Sequence, residues 1–109
     1  MIRIDIKPLS VNEVWKGKRF KSVKYMNYEK KLMFMLPRIM LPEDELSLSF
    51  IVGFSNSGAD VDNVLKPFID VLQKKYRFDD NRIYRILIEK TIVPKGKEFI
   101  EFTISRYHK

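Results

Sequence analysis

The sequence has no cysteine and one histidine, His108, beside the C-terminus. Disulfides and thiolate metal centres are therefore excluded, and an imidazole cluster of the kind that holds zinc has no residues to form it. Any metal must sit on oxygen ligands, and hard-cation chemistry then points to Mg2+, with Mn2+ as the alternative. Long apolar runs are also missing. Nothing approaches the roughly 20 residues needed to span a bilayer, and Met1-Ile2-Arg3-Ile4-Asp5 lacks the apolar stretch of a signal peptide. A cytoplasmic protein with no membrane partner is the expectation. There is no repeat, linker or low-complexity tract, and 109 residues leave room for a single domain.

What the sequence does contain is enough apolar material to fold and an excess of positive charge. Hydrophobic residues make up 45% and charged residues 32%, too apolar a balance for a solvated, unstructured chain. Lys and Arg total 21 against 14 Asp and Glu, a net charge of +7. On so small a surface this creates a field that attracts polyanions, with nucleic acid the leading partner.

Periodicity divides the chain into elements. Ile2, Ile4 and Ile6 alternate with polar residues, which predicts a strand ended by Pro8. From Asn12 to Lys24, Trp15 and Phe20 interleave with Lys16, Lys18, Arg19, Lys21 and Lys24 around Gly17, predicting a basic hairpin or ordered loop. Ser22 is placed to cap a helix reaching about Leu36, with Tyr25, Tyr28 and Leu32 on one face and Pro37 beyond its end. Leu46, Leu48, Phe50 and Val52 alternate as a strand that leaves into the loop from Gly53 to Gly58. The stripe Val61, Val64, Leu65, Phe68, Ile69 and Leu72 predicts an amphipathic helix, which Pro67 forces either to start late or to bend. Two more strands follow, Ile83 to Val93 and Glu98 to Ser105, with Pro94-Lys-Gly-Lys97 suggesting a hairpin between them. The sum is an α+β domain in which two main helices pack on a mixed β-sheet.

The residues suited to chemistry cluster around the second helix. Asp60 and Asp62 stand two apart at its entry, so in extended chain both carboxylates point to one side. Two such groups repel unless a divalent cation sits between them, and together they offer it hard oxygen ligands while leaving places for water and phosphate. Lys66 and Asp70 follow at helical spacing, an ammonium able to offset charge on a phosphoryl group or to hold a carboxylate. Asp80, with Asp79 as the alternative, completes the set only if the chain returns it to the same place. Taken one at a time, these residues also have structural readings: Asp60 or Asp62 as a helix cap, Lys66 and Asp70 as an exposed ion pair, Asp79 and Asp80 as a turn.

In combination, Asp60-Val-Asp-Asn-Val-Leu-Lys66-Pro-Phe-Ile-Asp70-Val-Leu and the later Phe78-Asp-Asp-Asn81 resemble the signature of RusA-type endodeoxyribonucleases, the Holliday-junction resolvases. The resemblance is close over about a third of the chain and looser elsewhere. It implies that Asp60, Asp62 and Asp80 bind Mg2+, that Lys66 is the essential basic residue near the scissile phosphate, that Asp70 supports them, and that Asn63 orders the helix entry. It further implies a homodimer that binds a four-way DNA junction and nicks two strands symmetrically, with no organic cofactor. Where family members often carry basic residues before the first Asp, this chain has Ser55-Asn-Ser-Gly-Ala59, so phosphate contacts are expected from Lys16, Lys18, Arg19, Lys21 and Lys24. Trp15 and Phe20 are either core residues or platforms for unpaired bases. A DNA-binding protein with purely structural acids, and a nuclease of the same chemistry acting on flaps, forks or RNA, are the competing expectations.

Overall fold

The computed structural model describes residues 1–18 and 20–108. Ile2 and Ile4 lie on one side of the first strand, β1 (Ile2–Ile4), and the chain beyond it stays irregular while still burying Ile6 and Leu9. Ser10 then opens a 3-10 turn, Val11–Glu13, by a reciprocal cap: its hydroxyl accepts from the Asn12 amide while the Glu13 carboxylate accepts from its own amide. The basic segment closes into a two-stranded ribbon, β2 (Trp15–Lys16) with β3 (Phe20–Lys21). Gly17 turns it with a φ of +70°, open to a residue without Cβ.

Helix α1 (Val23–Met35) starts where expected, with the Ser22 hydroxyl accepting from the Tyr25 amide, and buries Tyr25, Tyr28 and Leu32. Strand β4 (Leu46–Phe54) leads into α2 (Val61–Tyr76), then a 3-10 turn (Asp80–Arg82), β5 (Ile83–Ile92) and β6 (Phe99–Arg106). The fold is thus the expected α+β domain with a mixed four-stranded sheet, in the order β1-β6-β4-β5. Strand β4 is central, parallel to β5 and antiparallel to β6. Its even-numbered residues, Leu46 through Phe54, are buried beneath the helices. There Phe68 of α2 meets Phe50 and Phe102 edge to face, with ring centroids 5.9 and 5.6 Å apart. The odd-numbered face, with Ser47 and Ser49, is not part of the core.

Three expectations need correction. The last two strands do not form a hairpin: β4 lies between them, and the Pro94–Lys97 turn carries the chain across its end, where the Val93 amide donates to the Phe54 carbonyl. The crossover through α2 places β5 on one edge of β4, which leaves β6 the other edge; a turn signal fixes a reversal of direction but not which strands become neighbours. Strand β4 also runs two residues past Val52. Gly53 reads as a breaker, yet it stays in the strand because the Phe99 ring packs where its Cβ would stand. Finally, of the two outcomes expected for α2 the late start is excluded: the helix runs from Val61 through Pro67, which sits fully buried inside it. Burial of that face outweighs the lost backbone bond.

Candidate metal and phosphate site

Asp60 and Asp62 stand together at the entry to α2, where β4 has delivered the chain to one end of the sheet through an exposed loop. The loop is held from β5: the Lys90 ammonium donates to the Ser57 and Ala59 carbonyls at 3.0 Å each, and the Asn56 side chain accepts from the Gly58 amide. Asp60 occupies the N-cap position in extended conformation, but its carboxylate makes no capping hydrogen bond. It engages Asp62 instead. The Asp62 carboxylate, as acceptor of a hydrogen bond from the protonated Asp60 and as a nearby negative charge, raises the Asp60 pKa above its ordinary value, with Lys90 opposing. Two exposed carboxylates set against each other in this way are a pair of hard oxygen donors suited to a cation. The N-terminus of α2 adds positive potential to the same spot.

Asp60 and Asn63 border a cleft of about 520 Å3, whose other walls include Lys7, Ser10, Glu13 and Glu98. These four do not belong to the set expected from sequence; they arrive from the β1–turn segment and the start of β6. Glu98 accepts from Ser55 and from the Gly96 amide, and these bonds, the Ser55 one first, lower its pKa. Glu13 is likewise held low by the Lys24 ammonium at 2.8 Å. Both acids are thus anionic and already engaged.

Lys66 and Asp70 lie on α2 one and two turns beyond Asp62, and they bond each other: the ammonium donates to Asp70 at 2.7 Å. This is the exposed ion pair of the structural reading. It also keeps a cation on the helix face that continues from Asp62.

Asp80 is elsewhere. It begins the 3-10 turn after α2, a helix of 16 residues that spans roughly 24 Å at ~1.5 Å per residue. Arg82 ties that turn to the Pro42 and Asp44 carbonyls, ahead of the start of β4, whereas Asp60 follows its end. Within one chain, therefore, neither Asp80 nor Asp79 reaches Asp60 and Asp62, and among the described residues no group of three acids is gathered for a metal. A βαβ crossover returns the chain to the opposite end of the sheet, and that alone separates the two halves of the motif.

The basic ribbon borders α1. The Lys21 ammonium lies 4.2 Å from the centre of the Trp15 ring and 4.5 Å from that of Tyr25. Lys16 and Lys18 are exposed, Lys24 is engaged by Glu13, and Arg19 lies outside the described residues. Trp15 and Phe20 are 50% and 73% exposed, so neither is a core residue. No protein-family model matches the chain, and no curated protein matches it. Among the described residues, no helix is long and apolar enough to cross a membrane.

Proposed function

We propose that the chain is a divalent-cation-dependent nuclease of branched DNA, with four-way junctions as the substrate that the RusA resemblance implies. The observation that carries this reading is the Asp60–Asp62 pair: two exposed carboxylates at a helix N-terminus, with no capping role for Asp60 and with Asp60 driven toward protonation by Asp62. Mg2+ is commonly held by one or two carboxylates, with water and phosphate filling its other positions, so the pair suits it. When bound there, Mg2+ supplies Lewis-acid activation of a phosphodiester and of the attacking water. Lys66, on the helix face beyond Asp62, offsets negative charge developing on the phosphoryl group, and Asp70 holds the ammonium in position. Asp80 joins this site only from a second copy of the chain, and the homodimer implied by the resemblance supplies one. Lys16, Lys18 and Lys21 contribute phosphate contacts, and the exposed side chains of Trp15 and Phe20 offer stacking surface to unpaired bases.

Two observations favour a second reading. The Lys66–Asp70 bond and the distance of Asp80 from Asp60 are what a DNA-binding protein with structural acids would show. A panel of four-way junctions, forks, flaps and structured RNA, incubated with and without Mg2+, separates the two. The nuclease reading predicts Mg2+-dependent scission of branched DNA that Asp62→Asn lowers by at least about 100-fold, with folding unchanged. Binding without scission, or wild-type turnover by Asp62→Asn, overturns it.

A further inference from the structure

Beside the Asp60 cleft lies a second one of about 250 Å3, and the two share Lys7, Pro8 and Glu13 as walls. They adjoin as two halves of a groove. The second half is bounded by α1, which contributes Lys24, Asn27, Tyr28 and Lys31. Spacings of three and four place these on one face of the helix. Tyr28, 6% exposed, sinks that face into the core, while Lys24, Asn27 and Lys31 stay exposed beside it.

Charge divides along this groove. The half at α2 sets the Asp60, Glu13 and Glu98 carboxylates against Lys7. The half at α1 sets the Lys7, Lys24 and Lys31 ammonium groups against Glu13 alone, and Glu13 is occupied by Lys24 at 2.8 Å. Neither Lys7 nor Lys31 makes an ion pair among the described residues. Cations gathered in a concave place without counter-charge focus a positive potential there and draw an anion. Lys7 also answers the departure in the sequence before Asp60. The Ser55-Asn-Ser-Gly-Ala59 segment carries no basic residue, but Lys7 lines the same cleft as Ser55, Asn56, Gly58 and Ala59 and brings an ammonium to it from β1's side of the molecule.

We infer that the α1 half of the groove seats a backbone phosphate of the DNA strand whose scissile phosphate faces the Asp60–Asp62 pair, with Lys7 and Lys31 as its cationic contacts and the Asn27 amide donating alongside. The choice of DNA as ligand rests on the nuclease reading, but the seat needs no metal: the acid half repels a polyanion until a cation fills it, and the basic half does not. Such a contact fixes the path of the strand rather than its sequence. Another basic cleft, lined by Arg38, Lys74, Lys75 and Arg77, lies at the far end of α2 from Asp60. There Lys74 is paired with Glu29 and Lys75 donates to the Met33 carbonyl, and nothing connects that cleft with the acid pair.

The test is binding of a labelled four-way junction to the full chain without divalent cation, as salt is raised, with circular dichroism to verify folding. Lys7→Gln with Lys31→Gln should weaken binding by about tenfold or more and lower its salt dependence by about two phosphate contacts. Arg38→Gln with Arg77→Gln removes the same charge from the far end of α2 and should cost about threefold or less. Equal losses from the two pairs would leave net charge as the whole cause and overturn the proposal. So would wild-type affinity and salt slope in the Lys7, Lys31 variant, or no junction binding by wild type. Inorganic phosphate is the second probe: if it raises the melting temperature of wild type but not of that variant, while junction binding is the same in both, the cleft takes a free anion and the strand seat is wrong. Scission is not read here. Binding that meets these expectations without cleavage under Mg2+ sinks the nuclease reading and keeps the seat, whereas Mg2+-dependent cleavage with normal binding by the Lys7, Lys31 variant does the reverse.

Discussion

Lys66 is the residue whose two roles differ most sharply in their consequences. As one half of an exposed i,i+4 pair with Asp70, its loss costs about 0.5 kcal/mol or less. As the cation beside the scissile phosphate, its loss removes charge stabilisation that no neighbour replaces. Lys66→Met is therefore expected to melt within about 2–3 °C of wild type, what ~0.5 kcal/mol is worth in a domain this size, while junction cleavage falls by about 100-fold or more; loss of stability with unchanged cleavage would leave the ion pair as its whole role. The identity and spacing of Asp60, Asp62 and Lys66 were legible in the sequence because a helix entry makes neighbours of residues two and four apart. Glu13 and Glu98 were not. They reach the cleft from a 3-10 turn and from the approach to β6, far away in sequence, and no local period announces such a meeting. Trp15 and Phe20 show the converse: aromatic character gave no guide to burial once the ribbon carrying them lay outside the sheet.

Among the elements, those with a local cause were readable and those set by competition between strands were not. Ser22 as cap and the Tyr25–Tyr28–Leu32 stripe gave α1 within a residue at either end. The pairing of β5 and β6 was misread because the sequence records a turn while the sheet records a crossover. The short turn at Val11–Glu13 is joined to α1 by the Glu13–Lys24 pair. The Lys24 hydrogen bond depresses the Glu13 pKa below its ordinary value of 4.5, so the contribution to stability is present above that value and is lost as pH falls through the lower, folded one. Glu13 is 38% exposed and screened by solvent, which limits the effect to about 0.5–1 kcal/mol at low salt. Thermal melts should accordingly find Glu13→Gln less stable than wild type at neutral pH and indistinguishable from it once Glu13 is protonated. A gap that persists or widens in acid would assign the loss to packing instead.

For the whole molecule, the net charge of +7 and the acid pair pull in opposite directions, and the proposed nuclease function would reconcile them by drawing in a polyanion and screening two carboxylates with a divalent cation. Lys16→Ala with Lys18→Ala should weaken junction binding and reduce its dependence on salt by about two phosphate contacts; an unchanged slope would make these lysines solvated decoration. The central claim is that Asp60 and Asp62 together bind a divalent cation, and calorimetric titration with Mn2+, in the absence of DNA, tests it most directly. Wild type should bind Mn2+ and melt at a higher temperature in its presence, and the Asp60→Asn, Asp62→Asn double variant should do neither while keeping its fold. Equal binding by the two proteins, or none by wild type at concentrations that saturate oxygen-ligand sites, would contradict the account.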